Sequence, residues 1–181
     1  MPSRPVVILD ACVLINVLAS GRAQEILTGS GYSFGICTVA SNESVYLRAI
    51  DPNAPPEAVE LDPFVKSKRL TVYRLSGDAE QTLYVDYAAD LDDGEAMTLA
   101  LAFSRGHTVA TDDRKARRIF LADASDATRL LSTSQILRKW SERARLTGSE
   151  LKKLLLEIFH RGRFSPRSDA PEFTWWSNAV I

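Results

Sequence analysis

Five acidic side chains stand where apolar runs end or where helical segments begin, and these positions suit them for chemistry. They are Asp10, Glu43, Glu95, Asp112 and Asp113. In an open parallel α/β sheet, ligands bind at the carboxyl ends of the strands, so acids in such positions converge on one rim. Crowded carboxylates raise one another's pKa values and oppose folding unless a cation lies between them. The pattern therefore predicts a metal site.

The donor atoms of this set are all oxygens, which favours Mg²⁺ or Mn²⁺ over Zn²⁺. Mg²⁺ commonly takes one or two carboxylates and binds substrate phosphate at the same time. One or two such ions lower the pKa of a bound water and neutralise charge on a leaving oxygen. The expected chemistry is the metal-assisted hydrolysis of a phosphoester.

Strands and helices alternate along most of the chain, and these elements must position the acids. Apolar, β-branched runs predict strands at residues 5–9, 34–39, 70–75, 107–111 and 128–132. Helical patterns cover residues 11–18, 41–50, 57–68, 78–89, 95–104, 114–122, 134–143 and 149–161. This order favours an α/β fold with a central parallel sheet flanked by helices on both faces.

The length and composition predict one globular domain. The chain has 181 residues, of which 45% are hydrophobic and 25% are charged, and this excludes collagen-like and broadly disordered proteins. We expect residues 1–181 to form a single domain. Residues 134–181 are its C-terminal helical and aromatic extension, packed on the rest and irregular from residue 162. The apolar stripe of residues 146–158 is expected to pack within the chain, with a homodimer or a partner helix as the alternatives.

Cysteine content and hydropathy indicate the compartment. Cys12 and Cys37 are too few for a disulfide scaffold, and both lie in apolar segments where core positions are expected. Asp10 interrupts the apolar run near the N-terminus, and no later run reaches the roughly 18 residues of a membrane span. We therefore expect a cytoplasmic protein with no membrane association.

The charge changes sign along the chain. Residues 1–113 contain 8 Lys and Arg against 16 Asp and Glu, whereas residues 114–181 contain 14 against 7. An acidic half beside a basic half suits a cation site flanked by a surface for polyanions. The basic residues nearest the acids are expected to contact nucleic-acid phosphates, with a solvated helix face or an acidic partner segment as the alternatives. They are Arg114, Lys115, Arg117 and Arg118.

Four segments of the chain resemble the PIN-domain nucleases, a family that includes the toxins of prokaryotic toxin–antitoxin pairs. The segments are VVILDACVLIN ending at Asn16, TVASNE ending at Glu43, LDDGEAMTLALA around Glu95, and VATDD ending at Asp113. In order and spacing they cover residues 6 to 122. The Gly-Glu-Ala form of the third segment looks most like a toxin-like subgroup of these proteins.

The resemblance implies a PIN-like, Rossmannoid fold and endonucleolytic cleavage of RNA that depends on Mg²⁺ or Mn²⁺. The implied metal ligands and catalytic groups are Asp10, Glu43, Glu95 and Asp113. The resemblance also implies that Thr111 supports the site by hydrogen bonding and that Asn16 braces the first strand–helix turn. RNA is then the substrate, and a small antitoxin protein is the implied partner.

Two ligand positions keep an alternative. Glu95 stands where the family most often has Asp, so Asp93 is the alternative third ligand. A slip of one residue in the Thr-x-Asp pattern would select Asp112 instead of Asp113. In addition, Ala11 occupies a position where the family commonly has Ser or Thr. The identity of the third and fourth ligands therefore stays open at the level of sequence.

Two other functions are compatible with the sequence. A PIN-fold module of this kind could bind RNA or a protein partner without cutting. A phosphatase of another α/β fold could use Asp10 as its nucleophile, but the second Asp expected two residues later is Cys12. Asp92, which precedes the helical segment at Glu95, is interpreted as the cap of that helix.

Overall fold

A parallel β-sheet forms the centre of the computed structural model, which describes residues 4–42, 45–49, 51 and 53–181. The strands are β1 (Val6–Leu9), β2 (Ser33–Cys37), β3 (Val45–Leu47), β4 (Glu57–Val59), β5 (Leu70–Tyr73), β6 (Thr108–Ala110) and β7 (Leu130–Leu131). The helices are α1 (Ala11–Ala19), α2 (Ala23–Gly29), α3 (Thr38–Asn42), α4 (Asp62–Lys66), α5 (Gly77–Ala88), α6 (Asp93–Ser104), α7 (Arg114–Ala124), α8 (Thr133–Ala144), α9 (Gly148–Glu157) and α10 (Phe173–Val180).

Five of these strands form the central sheet in the order β5-β2-β1-β6-β7, and every pairing within it is parallel. Ile8 in β1 stands opposite Gly35 in β2 on one side and opposite Val109 in β6 on the other. The predicted α/β fold with a central parallel sheet is therefore confirmed. Because β1 lies in the middle, its carboxyl end is next to the carboxyl ends of β2 and β6.

The sheet is buried on both faces, which explains why β1 is apolar without interruption. Successive side chains of a strand point to opposite faces. Val7 and Leu9 accordingly belong to a core that also contains Trp140 of α8, whereas Ile8 belongs to a second core with Phe120 of α7 and Leu99 of α6. Helices thus cover both faces, as the alternation of elements predicts.

The segment between β2 and β5 differs from the prediction. The helix expected over residues 41–50 is replaced by α3, which ends at Asn42, and by β3, which pairs with β4 in an antiparallel hairpin. Within β3, Tyr46 is exposed and its two neighbours are buried, and this period of two is that of a strand. The helix expected over residues 57–68 is reduced to α4, because Pro63 is tolerated only in a first turn.

The C-terminal extension is also more regular than expected. The sequence predicts an irregular segment over residues 162–181, but this segment contains α10, which packs on α9. Trp176 of α10 is buried and meets the ring of Phe164 edge to face, with 5.6 Å between the ring centroids. The apolar stripe of the extension, represented by Leu155 and Ile158, lies in the same core as β1. No helix within the described ranges is both long enough and apolar enough to span a bilayer.

Gly35 provides a test of this packing. A Cβ at Gly35 would lie 2.2 Å from Cε2 of Tyr73 and 3.1 Å from the carbonyl oxygen of Thr71. We expect Gly35→Ala to lower the free energy of unfolding by about 1–3 kcal/mol, because the ring and the neighbouring strand must shift. Thermal unfolding should show this as a loss of about 2–4 °C in Tm per kcal/mol.

Gly148→Ala is the matched control, because no atom lies within 4 Å of a Cβ added there. This residue begins α9, where alanine favours the helix, so the Tm should stay the same or rise slightly. An equal loss of Tm in both variants would contradict the close approach of β5 to Gly35.

Candidate functional site

Asp10 lies at the carboxyl end of β1 and is 5% exposed. Its backbone N–H donates to the carbonyl oxygen of Ala110 at 2.9 Å, which continues the pairing of β1 with β6. Its Oδ2 accepts a hydrogen bond of 2.6 Å from the hydroxyl of Thr111 and one of 3.1 Å from the thiol of Cys12. The carboxylate is thus fixed by two neutral donors. Burial raises the pKa of Cys12 far above its usual range, as does the charge of Asp10, so the thiol stays protonated.

Thr111 connects Asp10 to Asp113. Its hydroxyl oxygen accepts the backbone N–H of Asp113 at 3.1 Å while its proton goes to Asp10. Asp113 caps α7, with Oδ1 accepting the backbone N–H groups of Lys115 and Ala116, each at 2.8 Å. Its second oxygen, Oδ2, makes no hydrogen bond to the part of the chain that is described. The hydrogen bond expected of Thr111 is therefore present, and Asp113 keeps one oxygen free for a ligand.

Glu95 belongs to the first turn of α6, where the capping carboxylate of Asp92 accepts its backbone N–H at 2.8 Å. Burial and, after it, the negative charges of Asp92, Asp10 and Asp113 together raise the pKa of Glu95 from 4.5 to about 7. The charges of Asp10 and Asp113 therefore act on Glu95, although the three residues come from separate segments. We call these three residues the acidic edge.

The structure distinguishes Glu95 from Asp93. The carboxylate of Asp93 is exposed and accepts a hydrogen bond of 2.9 Å from the hydroxyl of Tyr84 in α5. It is also not among the main causes of the raised pKa of Glu95. The geometry therefore favours Glu95 as the acid of the third segment. Asp92 is the helix cap, as the sequence predicts.

Asp112 has a different environment from its neighbour Asp113. Its Oδ1 accepts the backbone N–H of Thr133 at 3.0 Å, and its Oδ2 accepts the Thr133 hydroxyl and, at 3.3 Å, the amide of Asn16. Burial raises the pKa of Asp112, and the hydrogen bonds from Thr133 and Asn16 oppose that shift. These hydrogen bonds occupy both oxygens of Asp112 and join α1 and α8 to the end of β6. The amide of Asn16 donates to Asp112 and to Thr133, and so connects α1 with the end of β6 and with α8, whereas the resemblance implies a brace within the first strand–helix turn.

Glu43 lies outside the described residues. The helix that leads to it, α3, begins directly after β2 and packs against α6. At its start, the thiol of Cys37 donates to the carbonyl oxygen of Gly94 at 3.6 Å, so the end of β2 contacts the beginning of α6. The second acidic segment thus starts at the edge of the sheet that carries Asp10.

The donors of the acidic edge fit a hard cation in their chemistry. All are carboxylate oxygens, and none of the ion pairs found in the described ranges includes Asp10, Glu95 or Asp113. Among the residues that the structure describes, no three His, Cys, Asp or Glu side chains are grouped closely enough to hold an ion. Asp10 and Asp113 therefore affect Glu95 through their charges, without forming a group of three metal ligands with it in the described part of the chain. The ligand set expected from the sequence also contains Glu43.

The four basic residues that follow Asp113 do not act as one surface. Lys115 pairs with Asp90 at 2.9 Å. Arg117 is partly buried and donates from Nη1 to the carbonyl oxygens of Thr111 and Leu131, at 2.8 and 3.0 Å. Arg114 and Arg118 are exposed. Two of the four are thus free to meet a phosphate from solvent, while Arg117 is tied to the ends of β6 and β7.

The sequence motifs do not identify two residues that help to form this region, Thr133 and Glu172. Thr133 fixes Asp112, and a sequence signal for it exists, since Ser132 and Gln135 form a capping box that places the start of α8 after β7. Glu172 is buried beside Arg117 and acts on its charge. No local signal marks Glu172, because α10 brings it to the site through tertiary packing.

Stability should depend on pH through Glu95. Its pKa is about 7 in the folded chain against an ordinary value of 4.5, so the folded state binds the proton more tightly. The free energy of unfolding therefore falls as the pH rises from about 4.5 through about 7, and this loss is complete above that window. We expect Glu95→Gln to gain Tm over the wild type at pH 8 but not at pH 4.5, with a chelator present.

Glu60→Gln controls for the removal of one negative charge, because Glu60 is an exposed glutamate outside the acidic edge. Its difference in Tm from the wild type should be the same at both pH values. A Glu95→Gln difference that is equally independent of pH would show that the carboxylate of Glu95 is not under repulsion.

Known proteins offer no assignment for this site. No family model, curated protein or solved structure matches the chain.

Proposed function

We propose that this protein is a Mg²⁺- or Mn²⁺-dependent endoribonuclease with a PIN-like fold, which hydrolyses the phosphodiester bonds of RNA. The observation that carries the proposal is the raised pKa of Glu95, caused by burial and by the charges of Asp92, Asp10 and Asp113. Asp10 at the end of β1 and Asp113 at the start of α7 thus act as negative charges on the carboxylate of Glu95 in α6. A divalent cation would remove this repulsion, because its charge exceeds that of any single basic side chain.

The proposed ligands are Asp10, Glu95 and Asp113, joined by Glu43. When bound, the ion would lower the pKa of a water molecule and neutralise charge on the leaving oxygen. Thr111 orients the carboxylate of Asp10 and the backbone of Asp113, so it is a positioning residue. Its hydroxyl couples the two acids, so that a shift of one would disturb the other.

The surroundings of the acidic edge suit a polyanion. The helices α6 and α7 both begin here, and helix N-termini favour anions such as phosphate. Exposed Arg114 follows Asp113 directly, and residues 114–181 contain twice as many basic as acidic residues. These features support nucleic acid as the substrate. The resemblance to PIN-domain nucleases adds RNA, the toxin role and a small antitoxin partner to the proposal.

A second candidate function is a PIN-like module that binds RNA or a protein without cutting it. It is favoured by the absence of a metal-binding group of three side chains from the described part of the chain, and by the use of one oxygen of Asp113 as a helix cap. A phosphatase with an aspartate nucleophile has less support. Cys12 stands where such a phosphatase needs a second aspartate, and its protonated thiol donates a hydrogen bond to Asp10.

Cleavage of labelled RNA by the wild type and by Asp10→Asn separates these functions. We expect the wild type to cut with Mn²⁺ or Mg²⁺ and not with a chelator. Loss of a group that only supports a metal ligand costs about 10- to 100-fold, so Asp10→Asn should be at least about 100-fold slower. Asp86→Asn is the control, because Asp86 is exposed on α5 outside the acidic edge, and it should cut at the wild-type rate.

Equal cutting by Asp10→Asn and the wild type would assign the activity to a contaminant or to another site. RNA binding that persists in the chelator, with no cutting of any RNA in excess Mn²⁺, would replace the nuclease with the non-catalytic module.

A further inference from the structure

A cleft of about 430 Å³ opens next to the acidic edge. It lies between the beginnings of α7 and α8 and the segment over residues 164–172. Asp112, the neighbour of Asp113, is in its wall, and so is Arg114. The volume is within the range of about 300–1,000 Å³ that is usual for small-molecule sites. A strand of RNA held at the acidic edge would therefore pass this cleft.

Glu172 is an unpartnered acceptor in the wall of the cleft. The residue is 7% exposed, and its Oε2 is buried without a hydrogen-bond partner among the described residues. Although Glu172 stands at the N-cap position of α10, its side chain makes no capping bond. A buried carboxylate oxygen with no donor is costly, and in native proteins such a group usually has a partner. A ligand in the cleft that brings N–H donors would supply one when the Glu172 side chain turns toward it, because Oε2 is closed off from solvent in this conformation.

Arg117 faces the same cleft as a fixed cation. Its Nη1 is anchored on two carbonyl oxygens at the ends of β6 and β7, which leaves Nε and Nη2 without partners in the described part of the chain. Burial lowers the pKa of Arg117, and the charges of Asp112 and Glu172 counteract this. Yet Arg117 and Glu172 form no ion pair within 4.0 Å among the described residues. The donor and the acceptor thus lie near each other without being in contact.

We propose that the cleft binds a guanine nucleotide of the RNA strand beside the cleaved bond, an inference that rests on the proposed function. Guanine presents two adjacent N–H donors that match the two oxygens of a carboxylate, and its O6 and N7 accept from an arginine. Exposed Arg114 in the same wall would contact the phosphate of such a nucleotide, and Phe164 adds an aromatic side chain to that wall.

The other bases fit this arrangement less well. Adenine places an acceptor, N1, next to its amino group, and this acceptor would repel Glu172. Cytosine has one amino donor beside an acceptor, and uracil has one N–H between two carbonyl oxygens. Guanine alone offers two neighbouring donors. A correct bidentate contact discriminates against the wrong base by about 10- to 100-fold.

Calorimetric titration of the full chain with 5′-GMP and 5′-AMP, in a chelator, tests the cleft without requiring cleavage. We expect 5′-GMP to bind at least about 10-fold more tightly. Glu172→Gln should remove this preference, because an amide offers one acceptor and one donor in place of two acceptors. Glu142→Gln should keep it, since Glu142 lies on the exposed face of α8 and pairs with Arg138.

Equal affinities for the two nucleotides in the wild type, or a preference for 5′-GMP that Glu172→Gln leaves unchanged, would overturn the proposal. A second titration, with short oligouridines carrying one guanosine or one adenosine, distinguishes RNA from a free nucleotide. The oligouridine with guanosine should bind more tightly. If only free 5′-GMP is preferred, the assignment to the RNA strand is wrong.

The outcomes separate the cleft from the nuclease. A protein that prefers guanine but cuts no RNA would refute the proposed function and keep the cleft. A metal-dependent nuclease with equal affinity for 5′-GMP and 5′-AMP would refute the cleft and keep the nuclease.

Discussion

Repulsion among carboxylates at the carboxyl edge of the parallel sheet is the constraint on which the rest of the structure depends. Because β1 and β6 are neighbours, Asp10 and Asp113 must share that edge, and α6 adds Glu95 from a third direction. No basic side chain pairs with any of the three in the described ranges. The fold therefore holds an unbalanced negative charge, which a divalent cation would balance.

The adjacent residues Asp112 and Asp113 show how one loop serves both stability and function. Thr133 and Asn16 occupy the oxygens of Asp112, which ties the loop to α8 and α1. Asp113 starts α7 with one oxygen and keeps the other. Thr111 holds the loop against Asp10 by a hydrogen bond to its carboxylate. The buried hydrogen bonds thus fix the position of the carboxylates that a cation would need.

The sequence predicts the parts of this architecture that depend on local pattern. The continuous apolar run of β1 predicts burial on both faces, and the acid at its end predicts the position of Asp10. The prediction of helices is wrong for the hairpin of β3 and β4, because the structure of short segments with mixed polarity depends on their pairing partner. The position of Glu172 has no local sequence signal either, since it lies near Arg117 through tertiary packing of the C-terminal extension, in which Trp176 meets Phe164.

Direct titration with Mn²⁺, observed by electron paramagnetic resonance of the free ion, tests the central claim that the acidic edge binds a cation. The account predicts saturable binding of about one or two ions per chain, with affinity at least about 10-fold weaker in Asp10→Asn. No saturable binding to the wild type at millimolar Mn²⁺, or identical binding to Asp10→Asn, would contradict it.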